Sequence, residues 1–199
     1  MVTALDREIG RVMKHLERTG AIDPTILIYT SDHGDMLCTD GSLRGKTRPM
    51  RNALRTPLLV WGPKAGVAAG KVVDALVNTI DLLPSVMELA GEAPHKELPG
   101  TSIASWITAN EGLRQDAIFI ELYNWRAVYD GRHIYVLNEY RREPFIQPTR
   151  LTDLQKDPLE QSNLLDDPEY ADVRERLHER LMGFVERRRE GVEKRDARA

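Results

Sequence analysis

Thr25-Ile-Leu-Ile-Tyr-Thr-Ser-Asp-His-Gly-Asp35 decides the reading of this chain. Ile26, Leu27, Ile28 and Tyr29 form a near-continuous apolar run, the pattern of a strand buried on both faces of a parallel sheet. Ser31, Asp32, His33, Gly34 and Asp35 follow at once. In open α/β sheets, ligands bind just beyond the carboxyl ends of strands. An Asp-His pair at that place offers a carboxylate oxygen and an imidazole nitrogen to one cation, and Gly34 is expected to let the backbone turn tightly behind them. The same string also suits a plain polar turn with satisfied hydrogen bonds, because two ligands alone do not close a metal shell.

The 199 residues are 41% apolar and 30% charged, the composition of a folded globular chain with a real core. A net charge of −3 argues against a broad nucleic-acid footprint. No apolar run approaches the length of a membrane span. Met1 leads straight into what reads as an amphipathic helix, so no secretory leader is expected in this stretch. The single cysteine, Cys38, permits neither an intramolecular disulfide nor a Cys-rich zinc site. The compartment expected on these grounds is the cytoplasm.

Upstream of the opening stretch, Val2, Leu5, Ile9, Val12, Met13 and Leu16 share one helical face, and Gly20 stands where a helix-terminating glycine belongs. Downstream, residues 34–56 read as a polar loop rich in arginine. Pro57-Leu-Leu-Val-Trp61 reads as the next strand and 72–77 as a short extended piece. A helix from Ile80 to Ala90, stopped by Gly91, is expected next, and Ile103–Ile107 as a short helix. Composition shifts near Asn110. Ala117–Leu122, Arg126–Tyr129, His133–Leu137 and Arg150–Leu154 read as strands, with Asp130-Gly131 as a hairpin turn. Asp167-Pro168 opens a long helix whose apolar face is Tyr170, Val173, Leu177, Leu181 and Phe184. The expected organisation is α/β core over 1–110 and a C-terminal α+β subdomain over 111–199.

Several of these stretches, in this order, resemble one family, the sulfatases of the alkaline-phosphatase superfamily. Ala4–Val12 resembles the helix those enzymes carry before their second metal-ligand strand, and Thr25–Met36 resembles the strand with its Ser-Asp-His-Gly motif. Gly45-Lys46, then Arg55 and Pro57-Leu-Leu-Val, resembles the run from the sulfate-binding lysine to the next strand. Asp81-Leu-Leu-Pro-Ser with Leu89-Ala-Gly resembles the family's Asp-Leu-x-Pro-Thr helix, and Leu98-Pro-Gly-Thr-Ser102 also fits. Leu151-Thr-Asp-Leu-Gln-Lys-Asp-Pro-Leu-Glu-Gln-Ser-Asn-Leu164 resembles the Tyr-Asp-Leu-x-x-Asp-Pro-x-Glu-x-x-Asn-Leu signature near sulfatase C-termini.

The resemblance implies a partial alkaline-phosphatase-like α/β core followed by a small antiparallel sheet with a long C-terminal helix. It implies a sulfuric ester hydrolase in which Asp32 and His33 bind a divalent cation, calcium first, with magnesium or manganese as alternatives, and Lys46 contacts the sulfate or leaving-group oxygen. Arg55 is given a structural role in the loop, and Asp35 a supporting or turn-forming one. Family members also carry a paired-aspartate strand and a Cys-x-Pro-x-Arg or Ser-x-Pro-x-Arg motif whose first residue becomes the formylglycine nucleophile. Neither motif stands in these residues, and Cys38 lacks the required proline and arginine, so this chain alone is expected to hydrolyse no sulfate ester. Where many relatives have Gly-Asp-His-Gly, Cys38-Thr39-Asp40-Gly41 stands here, and Arg51 replaces a common glutamate. The expected substrate class is a sulfated small molecule or sugar. An N-terminal half or an oligomer partner is expected to cover the open sheet edge. A phosphodiester or phosphonate monoester hydrolase and a non-catalytic fragment or interaction module are the alternatives.

Overall fold

In the computed structural model, residues 2–37, 45–109, 111–112, 114–122, 124–139 and 146–196 are described. They fall into two compact units, one from Met1–Ser31 and Pro57–Leu113, the other from Asp32–Thr56 and Arg114–Ala199.

The first unit opens on α1 (Val2–Thr19). It ends at Gly20, whose φ of 72° lets Gly20 N–H reach Glu17 O at 3.1 Å and Ala21 N–H reach Leu16 O at 2.9 Å. Val2, Leu5 and Val12 on its apolar stripe are exposed, while Ile9, Met13 and Leu16 are half-buried. Strand β1 (Leu27–Thr30) pairs with β2 (Leu58–Trp61), Leu27 opposite Trp61 and Thr30 opposite Leu58. The pairing is antiparallel and β1 is half-buried along its length, so the doubly buried parallel strand expected from the apolar run is corrected. Such a run announces a strand but carries no information on its neighbour's direction. Leu58, Leu59 and Trp61 are 37%, 59% and 36% exposed, leaving an apolar surface on β2. Residues 72–77 are irregular, with Val72 exposed.

A buried carboxylate splices α3 (Leu82–Leu89) to the loop that follows it. Asp81 ends the 3-10 turn Thr79–Asp81. Its Oδ2 accepts from Asn78 N–H at 2.8 Å, closing a capping box, and its Oδ1 accepts from Thr101 N–H at 2.8 Å. Ser85 Oγ donates to Asp81 O at 2.5 Å and accepts from Ile103 N–H at 2.8 Å. A Cβ on Gly100 would lie 2.1 Å from Ile80 O. The Asp-Leu-Leu-Pro-Ser and Leu-Pro-Gly-Thr-Ser motifs are thus two halves of one clamp. Beneath it Val67, Ile103 and Ile107 make a small core, joined by Ile26, Val60, Leu89 and Trp106. Ile107 and Ile103 flank or lie on α4 (Ala104–Thr108).

The second unit is built on a four-stranded antiparallel sheet in the order β3 (Ile118–Leu122), β4 (Trp125–Tyr129), β5 (His133–Glu139) and β6 (Ile146–Asp153). Alternation along β5 sends Tyr135 and Leu137 to one face and Ile134 and Val136 to the other. The first face, with Val128 and Leu151, is covered by Leu177 and Leu181 of α5 (Ala171–Asp196). The second, with Trp125 and Ala127, is met by Leu54 of the short helix α2 (Arg51–Leu54). The loop after β6 is tied down by its own signature residues. Asn163 Oδ1 accepts from Leu151 N–H at 3.1 Å while its amide nitrogen donates to Thr149 O at 3.0 Å. Asp157 Oδ2 accepts from Ser162 N–H at 2.7 Å.

The β4–β5 turn carries a pH-dependent share of the stability. Asp130 Oδ1 accepts from Arg132 N–H at 3.0 Å and His133 N–H at 2.7 Å, and its Oδ2 accepts from Arg176 at 2.8 Å. Burial opposes ionisation of Asp130, but the Arg176 bond, the two backbone N–H groups and the His133 ring outweigh it and draw its carboxyl down to about 2. A depressed carboxyl stabilises the fold above the ordinary carboxylate range and stops doing so as pH falls through its folded value. Roughly 2 kcal/mol is expected to be lost between about pH 4 and pH 2. Urea unfolding at stepped pH should show this loss shrunken in Asp130→Asn; an identical decline in the variant would assign it elsewhere.

Candidate functional site

Asp32, His33 and Lys46 belong to the same unit, and the structure brings them together. His33 N–H donates to Asp32 Oδ1 at 3.0 Å, folding the carboxylate back over the imidazole. Asp32 Oδ2 then lies 3.2 Å from His33 Nε2. On the other side of the ring, His33 Nδ1 is 2.7 Å from Gly34 O. A carbonyl oxygen only accepts, so Nδ1 carries a proton, and an ammonium only donates, so Nε2 presents its lone pair to Lys46. The Lys46 ammonium donates to that lone pair. A carboxylate oxygen and an imidazole nitrogen thus share one point, with a positive charge already drawn to it.

This arrangement passes a test of fit for a cation in part. An imidazole whose far N–H is fixed by a backbone carbonyl has the tautomer and orientation of a metal-binding histidine. A separation of 3.2 Å suits two adjacent donors on one ion. The shell is incomplete, since no group of three His, Cys, Asp or Glu side chains able to hold a metal occurs among the described residues. The Asp32 side chain is 82% exposed and that of His33 36%, so the pair opens outward rather than into a closed cage.

The backbone explains why the pair stands where it does. Gly34 N–H donates to Ala53 O at 2.8 Å. A Cβ on Gly34 would lie 1.9 Å from Asn52 O, so glycine is demanded by contact with α2 rather than by the tight turn expected from the sequence. Met36 N–H donates to Gly45 O at 2.8 Å, pinning the residue before Lys46, and Met36, Met50 and Ala53 form a small core beneath. Asp35 is a turn residue, its Oδ1 accepting from Leu37 N–H at 2.8 Å. Arg55 is exposed, and its backbone N–H closes α2 on Arg51 O at 2.8 Å. Cys38 lies outside the described residues. Two buried side chains that the sequence did not single out for the site, Trp125 and Glu160, bond directly to the Lys46–Arg55 segment. No local pattern could have found them, because each is more than seventy residues from its partner.

The sulfatase family profile matches residues 1–92. An N-acetylglucosamine-6-O-sulfatase of Bacteroides thetaiotaomicron is 29% identical over 189 residues, which are 90% of this chain and 33% of that protein. A solved 2-O GAG sulfatase superposes with a TM-score of 0.81 at 25% identity, over 96% of this chain and 42% of the other. The phosphonate monoester hydrolase of Silicibacter pomeroyi superposes with a TM-score of 0.80 at 27% identity, over 92% and 38% of the two chains. The chain therefore spans about a third of the length of the curated relatives it matches. The mixed α/β architecture, small antiparallel sheet and C-terminal helix are those of alkaline-phosphatase-like sulfatases.

Proposed function

Because the chain belongs, over residues 1–92, to the sulfatase family, we propose that it forms part of a sulfuric ester hydrolase site, with Asp32 and His33 as two ligands of a divalent cation and Lys46 as the contact to the ester. The observation that supports this reading is that Asp32 Oδ2 and Lys46 Nζ both lie against His33 Nε2. A hard cation held there, calcium before magnesium or manganese, supplies positive charge for binding the ester and ionising a nucleophile. Each residue has a definite task. Asp32 supplies a negative oxygen donor. His33, held by Gly34, supplies a neutral nitrogen donor. Lys46 is free to exchange its bond to His33 for an ester oxygen, where its charge opposes the charge that develops on cleavage.

The substrate class is a sulfated sugar or small molecule. A phosphonate monoester is the second reading, favoured by the match to a phosphonate monoester hydrolase, since a lysine and a cation serve either tetrahedral group. No Cys-x-Pro-x-Arg or Ser-x-Pro-x-Arg motif stands in these 199 residues. They are therefore not expected to turn over p-nitrophenyl sulfate by themselves.

Calorimetric titration of calcium into the chain, with Asp32→Ala as control, tests the cation. Two protein donors predict weak binding, roughly 10⁻⁴ to 10⁻³ M, lost in the variant. Equal binding by both proteins, or none by the parent, would overturn the assignment.

A further inference from the structure

We propose that Trp125 and Glu160 are positioning residues for this site, the first acting through Thr47 on Lys46 and the second through α2 on His33. The inference rests on the assignment of Asp32, His33 and Lys46 given above. Both side chains are buried, at 5% and 4% exposure, and neither touches the site itself.

Trp125 lies on the face of the sheet shared with Ala127, Ile134 and Val136. Its indole N–H donates to Thr47 O at 2.9 Å. An indole N–H can only donate, and a buried one requires a partner. Its partner is the carbonyl of the residue next to Lys46. With Gly45 O held by Met36 N–H at 2.8 Å, the lysine is fixed on both sides, and its ammonium is thereby delivered to His33.

Glu160 works further along the same segment. Its Oε2 accepts from Arg51 N–H at 2.6 Å, the first N–H of α2, which has no partner within the helix. Thr152 Oγ donates to Oε1 at 3.5 Å, and the Arg150 guanidinium donates to the Glu160 carbonyl. Glu160 holds a φ of 56°, in the left-handed region that a glutamate seldom adopts. Burial pushes its carboxyl up, against the pull of the Arg51 N–H and the Arg150 charge. A buried carboxylate and a strained backbone are an expensive way to hold one peptide N–H. What they hold is α2, whose Ala53 carbonyl takes Gly34 N–H, while Gly34 O takes His33 Nδ1–H. The path from Glu160 to the His33 tautomer is therefore continuous, bond by bond.

The two routes separate experimentally. In the full chain, imidazole nitrogen shifts of His33 report its tautomer and the Lys46 bond, and amide exchange at Gly34 reports the Ala53 bond. Glu160→Ala is expected to speed Gly34 exchange about tenfold, the scale of one lost charge-assisted hydrogen bond, and to blur the His33 tautomer, with Glu160→Gln restoring both. Trp125→Phe keeps the ring and removes only the N–H. It is expected to shift the His33 Nε2 signal and leave Gly34 exchange unchanged. Loss of thermal stability in either variant with His33 and Gly34 signals like the parent's would overturn the proposal. Should Glu160→Ala not fold, Trp125→Phe still judges the Lys46 route, and Glu160→Asp, which shortens the reach to Arg51 N–H, judges the His33 route by the same Gly34 and His33 signals. Calcium titration of the parent is scored separately: its failure would remove the cation assignment, while the nitrogen shifts would still judge the positioning.

Discussion

Gly34→Ala is expected to destabilise the second unit by more than about 3 kcal/mol and to abolish the cation binding proposed for Asp32 and His33. The added Cβ would sit 1.9 Å from Asn52 O and 3.0 Å from Arg55 O. Both atoms are backbone, so no side-chain rotation relieves the overlap. Either α2 moves away, losing the packing of Leu54 and Ala53, or Gly34 moves and takes the His33 ring with it. Gly20→Ala is the control. Gly20 holds a φ of 72° with nothing within 4 Å of a Cβ, so its substitution meets only the conformational penalty of the left-handed region, about 1 kcal/mol. Urea denaturation should separate the two by their midpoints. A Gly34→Ala protein with the parent's midpoint and the parent's calcium titration would show that α2 is not the support described above.

The contrast between these glycines marks what was legible in the sequence. Gly20, following an amphipathic run, announces itself as a helix terminator, and Asp130-Gly131 between two alternating apolar runs announces a hairpin, because both signals are local. The strands of the C-terminal sheet and the long helix after Asp167-Pro168 could be read for the same reason. The neighbour of β1 could not, since an apolar run says nothing of direction. Gly34 was noticed, but its reason was not, because the Asn52 carbonyl that forbids a side chain is brought there only by the fold. Asp32 and His33 were singled out by their position after a strand and by family resemblance. That His33 would hold the lone-pair tautomer toward Lys46 depends on a carbonyl one residue away and an ammonium thirteen residues away, and no periodicity encodes either. Least legible was the attachment of 32–56 to the C-terminal sheet. It rests on Trp125 to Thr47 and Glu160 to Arg51, contacts 78 and 109 residues apart, which sequence patterns of helix or strand period cannot reach. The C-terminal signature containing Glu160 could be recognised as a motif, yet its physical use emerges only when its carboxylate is seen on α2.

Asp153→Ala is expected to be the most destabilising change in the same signature, by about 3 to 5 kcal/mol. Asp153 is fully buried, and its carboxylate gathers donors from three parts of the unit. Arg132 bonds it twice, at 3.0 and 2.5 Å, Tyr170 donates its hydroxyl at 3.0 Å, and the Gln155 and Lys156 N–H groups donate at 3.0 and 3.3 Å. The Arg132 bonds first, and then the Tyr170 and backbone donors, outweigh burial and hold this carboxyl well below the usual range. Alanine would strand all of these donors at once. They would not suffer equally. The Arg132 side chain is 44% exposed and can turn to water, which limits its share, whereas Tyr170 is 7% exposed and begins the approach to α5, so its hydroxyl has no such escape. The loss should therefore couple strongly to Tyr170 and weakly to Arg132. In a double-mutant cycle, Tyr170→Phe should cost much less in the Asp153→Ala background than in the parent, because the hydroxyl it removes has already lost its acceptor. Asp153→Asn retains an acceptor for Tyr170 but loses the charge facing Arg132. It should fall between parent and alanine variant, and the gap between parent and asparagine variant should narrow as pH falls through the acid range in which Asp153 itself takes up a proton. Equal costs for Tyr170→Phe in both backgrounds would show that the hydroxyl finds another partner and that Asp153 anchors the hairpin alone.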